Sequence, residues 1–257
     1  MLCYNDEKVQ RTIKEKKWGG RMKIMSFNTQ HCRNYVTRVI DYRVMADAIA
    51  ACGADIVGLN EMRDQGEAEG YEPQVPTLSE LTGLEHWVFA KAIDVNGPNP
   101  YGNGLLSRYP IVSTQIIPVP DPAPETRTGT EFYETRCLLK AKLENGLTVL
   151  VIHFGLNADE QQNAVQTVLA HLKDERCILM GDFNVLPEDP VLSPIRARMK
   201  DAAQAFGAPL LSFPSDAPDR KIDYVFVSPD VEVLSADIPP IVASDHRPHT
   251  AEILFDA

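Results

Sequence analysis

The chain has 257 residues, 44% of them hydrophobic, and a net charge of −11. That composition supports one large core or two small ones, and no stretch approaches the ~18 apolar residues of a membrane span. The acidic balance opposes a long polyanion unless cations gather locally, and no Lys/Arg cluster follows residue 23.

Residues 1–21 hold six of the 25 basic and three of the 36 acidic residues, so the remainder carries a net charge of −14. This stretch is polar, lacks a clear pattern and ends in WGGR before Met22. Two readings stay open: a non-native extension, the Gly pair being a translated ribosome-binding site before a start at Met22, or a loosely attached arm. No apolar leader stands at the N-terminus, so a cytoplasmic protein is expected. The five cysteines agree: no pair has C-x-x-C spacing, so neither a zinc site nor a disulfide framework is expected.

MKIMSFN starts the first strand. Val44, Met45, Ala48, Ile49 and Cys52 recur at helical spacing, and Gly53 ends that helix. DIVGLNE, HWVFAKA, NGLLS and IVSTQII read as strands, followed by a Pro- and Thr-rich loop over 119–130. TRCLLKAKL and LTVLVIH form a hairpin through ENG. Residues 158–173 form an amphipathic helix with Val165, Val168, Leu169 and Leu172 on one face. CILMGD is a strand, 190–200 are predicted helical, and KIDYVFVS, VEVLS and HTAEILF close the chain. Strands interleaved with a few helices, without strict alternation, predict two mixed sheets with helices outside, in one domain over 22–257.

Polar residues end many of these strands. In GDFN, Asp182 and Asn184 stand two apart after an apolar run, so in extended backbone both side chains leave by one face. A turn, with Asp bonding its own backbone, explains the pair equally well. Asn28 ends the first strand, Glu61 the second and His153 the LTVLVI strand; Asp223 opens another, and SDH at 244–246 precedes the last. Each has a plain structural reading: a turn former at Asn28, a solvated strand end at Glu61, a core histidine at His153, an ion pair of Asp223 with Arg220 or Lys221, a turn cap at Asp245. Six strand ends together are harder to dismiss, because loops on a rigid scaffold carry function.

The ordered set MSFNTQ, DIVGLNEM, YGNGLLSRYPI, ETRCLLKAKL, VIHFGLN, GDFN, KIDYVFV and SDHRPH resembles the endonuclease/exonuclease/phosphatase superfamily from Met22 onward, and GNGLLSRYPI looks closer to its bacterial small-hydrolase branch than to its nucleases. The resemblance implies a four-layer α/β/β/α sandwich and a metal-dependent phosphoesterase. It implies that Glu61 holds Mg²⁺ or Mn²⁺, with Asn28 and Asp245 on the metal side. Asp182 then orients or deprotonates water, Asn184 holds phosphate, His246 contacts phosphate and Asp223 orients His246. His153 matches a second histidine that contacts the scissile phosphate or the leaving group, and Arg136 a phosphate-contacting arginine. The chain departs from some nucleases at Asn103, where they place a glutamate; Asn103 can bond the His153 ring but stabilises it less as a cation. Tyr101 is expected to add a hydroxyl nearby, and His31 to face the same mouth.

Hard oxygen ligands suit Mg²⁺, and a positioned carboxylate suits activation of water. The leading expectation is a hydrolase of a small phosphate ester, whether sugar, lipid or other small molecule. The alternatives are a DNA-directed nuclease or apurinic endonuclease, which a basic stripe beside the site would support, and a catalytically inactive binding domain, which loss of Glu61, Asp182 or His246 would support.

Overall fold

In the computed structural model, residues 20–206 and 210–255 are described; nearly all of the segment 1–21, whose status the sequence left open, lies outside them. Two six-stranded mixed sheets face each other. In the first the order is β11 (Glu232–Asp237), β12 (His249–Leu254), β1 (Met22–Asn28), β2 (Ile56–Arg63), β4 (Pro100–Ser107), β3 (His86–Asp94). In the second it is β5 (Ile111–Pro118), β6 (Cys137–Leu143), β7 (Thr148–His153), β8 (Cys177–Asp182), β10 (Asp223–Val227), β9 (Lys200–Asp201). Each sheet has one parallel pair at its centre, β1 with β2 and β7 with β8.

Period-two alternation builds three apolar layers from these strands. Ile24, Ile56, Leu105, Val149, Val151, Ile178, Met180 and Val225 point inward and fill the space between the sheets. The alternate residues point outward. Met25, Phe27, Val57 and Leu59 meet helix α1 (Tyr42–Cys52) and helix α2 (Gln74–Thr82). Leu150, Ile152, Leu179, Tyr224 and Phe226 meet helix α3 (Ala158–His171) through Val165 and Val168. The predicted four-layer α/β/β/α sandwich is therefore observed.

The helices start and stop on local chemistry. Asp41 caps α1 by accepting from the Arg43 and Val44 backbone N–H groups, and Gly53 ends it at φ +62°. Asn157 and Glu160 form a capping box at the start of α3. Helix α2 had no counterpart in the sequence reading: Pro73 and Pro76 disguise a segment whose Val75 and Leu78 are buried. Proline is tolerated there because the first helical turn has no N–H partners to lose. The predicted helix over 190–200 is corrected: the segment holds a 3₁₀ turn (Pro190–Leu192), the four-residue α4 (Ser193–Arg196) and the start of β9. The four described cysteines are free and buried. No helix among the described residues is long and apolar enough to cross a membrane.

Candidate active site

The inner faces that are apolar at one end of the sandwich become polar at the other. On β1 the inward series runs Met22, Ile24, Ser26, Asn28, and on β8 it runs Ile178, Met180, Asp182. The same parity turns Asn60, His153 and Asp223 inward. Close approach of the sheets is set by Gly58, where a Cβ would lie 2.6 Å from Met180 Sδ.

Asparagines join the sheets across this end. Asn28 Nδ2 donates to Glu61 Oε1 and to Asp182 Oδ2, both at 3.0 Å. Asn60 accepts from the Asp182 backbone N–H at 2.9 Å and donates to the Ile152 carbonyl at 3.0 Å. Glu61 sits where the β2–β4 register shifts, with φ +60°, a conformation that costs about 1–3 kcal/mol for a non-glycine residue. The Glu61 carbonyl accepts from the His31 N–H, and Gln74 on α2 bonds both the Arg63 N–H and the His31 carbonyl. Thus α2 braces the strained turn from behind.

Asp223 and His246 form the second half. His246 Nδ1 lies 2.8 Å from Asp223 Oδ2, and its Nε2 lies 3.6 Å from Asp182 Oδ2. Burial alone would lower the His246 pKa; Asp223 and Asp182 outweigh it and raise the ring to about 10, so it stands as a cation between two carboxylates. Burial also raises the Asp182 pKa, His246 opposes the rise, and Asp223 adds to it. Asp223 bonds neither Arg220 nor Lys221: Lys221 pairs with Asp201 at 3.1 Å, and Arg220 with Asp219. Ligand atoms of Asp182, Asp223 and His246 lie within 4.8 Å of one another, close enough to share a cation. Such a cation would compete with the proton on His246. Asp223 Oδ1 is a buried acceptor with no hydrogen-bond partner.

His153 lies beside Asp182, with Nε2 3.5 Å from Asp182 Oδ2 and 3.3 Å from Asn184 Nδ2. Arg136 Nη1 is 3.0 Å from its Nδ1. Burial, then Arg136 and His246, hold the His153 pKa well below its usual value, so the ring is neutral. Asn184 has φ +50°, and its backbone N–H donates to Asp182 Oδ1 at 3.0 Å. The extended geometry expected for this pair is therefore corrected to an Asx-type turn. Both side chains still converge on His153, because the turn itself brings Asn184 back.

The remaining expected residues fall in different places. Tyr101 is half-buried, and burial, Glu61 and Glu134 raise its phenol pKa well above the usual value. Asp245 Oδ2 accepts from Gln30 Nε2 at 2.9 Å, and the Gln30 N–H donates to Asn28 Oδ1 at 3.1 Å. Gln30 thus links Asp245 to Asn28, a role the sequence reading missed. Asn103 does not bond the His153 ring: it accepts from Asn60 at 2.8 Å and donates to the Cys137 carbonyl at 3.0 Å. It is a buried strut between the sheets. The His31 ring makes no hydrogen bond to the other site residues, and burial, Arg63 and Arg33 lower its pKa to about 4. Asn60 also went unassigned; its only sequence signal is an amide at an inward position of an otherwise apolar strand.

The profile described as the Endonuclease/Exonuclease/phosphatase family matches residues 25–246. The chain belongs to that family. Endonuclease/exonuclease/phosphatase proteins are hydrolases acting on phosphate esters. No curated protein matches this chain in sequence. Among solved structures, an endonuclease/exonuclease/phosphatase from Beutenbergia cavernae is similar with a TM-score of 0.75 at 22% identity, covering 92% of this chain and 72% of that one. One from Bacteroides vulgatus has a TM-score of 0.72 at 20% identity, covering 92% and 100%. A mannosyl-6-phosphatase from Bacteroides thetaiotaomicron has a TM-score of 0.71 at 16% identity, covering 91% and 100%. At these identities the likeness is one of fold.

Proposed function

We propose that this endonuclease/exonuclease/phosphatase chain is a Mg²⁺- or Mn²⁺-dependent phosphoesterase that hydrolyses a small phosphate ester by attack of water. The observation that carries the reading is the convergence of Glu61, Asn28, Asp182, Asn184, His153, Asp223 and His246 from six chain segments on one end of the sheet interface. Asp182 is an enclosed carboxylate whose burial raises its basicity, so it suits taking a proton from water. His246 supplies a fixed positive charge for phosphate oxygens, held by Asp223. His153 and Asn184 offer N–H donors on the same side of Asp182.

The donors fit a hard divalent cation. Glu61 is half-buried, one of its oxygens accepts from the Asn28 amide, and its carboxylate is a hard oxygen donor of the kind such a cation takes. Glu61 would hold the cation, with Asn28 beside it and Asp245 joined to the same end through Gln30. The bound cation would neutralise charge on phosphate and leaving-group oxygens. A small ester, including a sugar phosphate, is favoured by the acidic balance of the chain; the mannosyl-6-phosphatase with the same fold supports the same direction.

Purified protein assayed with Mg²⁺ or Mn²⁺ against phosphomonoesters, phosphodiesters and abasic DNA tests this directly. Turnover of small esters that vanishes on chelation supports the proposal. Full turnover after exhaustive chelation would overturn the metal requirement. Glu61→Gln is expected to raise the cation concentration needed for half activity, with partial recovery in excess metal. A defect independent of metal concentration would remove Glu61 from that role.

A further inference from the structure

Glu134 is bonded into the site through Arg136. Arg136 Nη1 donates both to Glu134 Oε1 and, at 3.0 Å, to His153 Nδ1. A guanidinium has no acceptor, so with Arg136 as the nearer donor Nδ1 is the unprotonated nitrogen of a neutral ring; such a ring has one acceptor, so Asn184 Nδ2, 3.3 Å from Nε2, does not donate to it. The ring proton then sits on Nε2, the nitrogen 3.5 Å from Asp182 Oδ2. Asn184 Nδ2, near the same nitrogen, directs a hydrogen to the Phe154 carbonyl at 3.1 Å.

Glu134 is itself fixed by the first turn of α3. Its backbone N–H donates to Glu160 Oε1 at 3.2 Å. Asn157 Oδ1 accepts from the Glu131 N–H at 3.0 Å, and its amide donates to the Glu131 carbonyl. Asp159 accepts from the Thr128 N–H and the Tyr133 hydroxyl. Five side-chain contacts therefore clamp residues 128–134 onto the helix start, immediately before Arg136.

We propose that Glu134 is a positioning residue: anchored by the first turn of α3, it holds the Arg136 guanidinium against His153 Nδ1 and so fixes His153 as the Nε2–H tautomer facing Asp182. The inference rests on His153 and Asp182 being working groups of the phosphoesterase site. Its direct readout, however, needs neither substrate nor metal.

The test is ¹⁵N NMR of the imidazoles in the full chain without metal, on the wild type, Glu134→Gln and Glu134→Ala. The wild type is expected to show His153 as a single neutral tautomer with Nδ1 unprotonated. Glu134→Gln, which keeps an acceptor oxygen, is expected to retain it; Glu134→Ala is expected to show mixed tautomers. On an ester substrate, kcat of Glu134→Ala is expected to fall about 10-fold or more, with Glu134→Gln restoring most of it and the metal requirement unchanged. A wild-type His153 protonated on Nδ1 would overturn the proposal even if no variant folds. So would an unchanged tautomer in folded Glu134→Ala, or a defect that excess metal cures, which would make Glu134 a metal ligand. Absence of esterase activity with the expected spectra would instead count against the reaction, not the tautomer.

Discussion

At the scale of single residues, the site is a set of buried charges that stabilise one another unequally. Asp182 is disfavoured as an anion by burial and by Asp223, and favoured by His246. Asp182→Asn is therefore expected to lower turnover by at least ~10²-fold while leaving stability unchanged or raised, as read by kcat and urea unfolding. His246→Ala leaves two carboxylates without the cation between them, so about 3–5 kcal/mol of destabilisation is expected together with lost turnover. Retained turnover in either variant would remove that residue from the chemistry. His249 supplies a pH prediction apart from the reaction. Its Nδ1 donates to the Asp223 carbonyl at 3.2 Å, its Nε2 is buried without a partner, and burial lowers its pKa to about 4. The unfolded chain binds this proton near pH 6.5, so stability is lost as pH falls from about 6.5 to about 4, by roughly 3 kcal/mol. The slope of unfolding free energy over that window is expected to flatten in His249→Leu. An identical slope would show that His249 titrates normally.

At the scale of elements, strand parity delivers the site residues and a few local breaks aim them. Gly181 is one such break. Its φ is +152°, and a Cβ there would lie 1.8 Å from the Ile152 carbonyl oxygen, its partner across the β7–β8 pair. Gly181→Ala must push apart the two strands that carry His153 and Asp182. Its expected cost is at least ~3 kcal/mol, with a loss of activity in whatever fraction folds. A folded, fully active variant would show that this end of the sheet is looser than the geometry implies. Long periodic elements such as β1, β7, α1 and α3 were legible from their apolar spacing. Helix α2 was not, because its prolines carry the local signature of a loop while its burial depends on Leu59 and Met62 of a neighbouring sheet. The 190–200 segment failed in the other direction: its apolar residues are there to fill the outer layer through Leu192 and Ile195, and they do so from short turns.

At the scale of the whole molecule, charge is expected to separate the substrate classes. The sequence shows no basic run, but folding gathers Lys140, Lys142 and Lys173 around one groove that Asp174 and Glu175 also line. The groove includes Thr148, at the opposite end of β7 from His153, about 17 Å along the strand. It therefore does not flank the site as a nuclease groove would. Small esters are expected to give a higher kcat/KM than duplex or abasic DNA at physiological salt, both for the full chain and for a chain starting at Met22. DNA cleavage is expected to collapse between low and physiological salt as counterions return to the phosphates. Efficient DNA cleavage by the shorter chain at physiological salt, with negligible ester turnover, would reverse that order.

By itself, the sequence determined two mixed sheets with helices outside and which polar residues end their strands, because period-two apolar strands and polar strand ends are local patterns written in consecutive residues; the four layers followed from the family resemblance. GDFN, SDH, the IDY strand and Glu61 could be picked out before any contact was known. Only the tertiary structure decided what those groups do to one another. Whether His246 is a cation and His153 neutral depends on which charges lie within a few ångströms of each buried ring, and those charges come from distant segments. The same holds for Asn103, which the fold makes a strut rather than a ring partner, and for Glu134, whose hold on Arg136 exists only because α3 pins the loop that carries both.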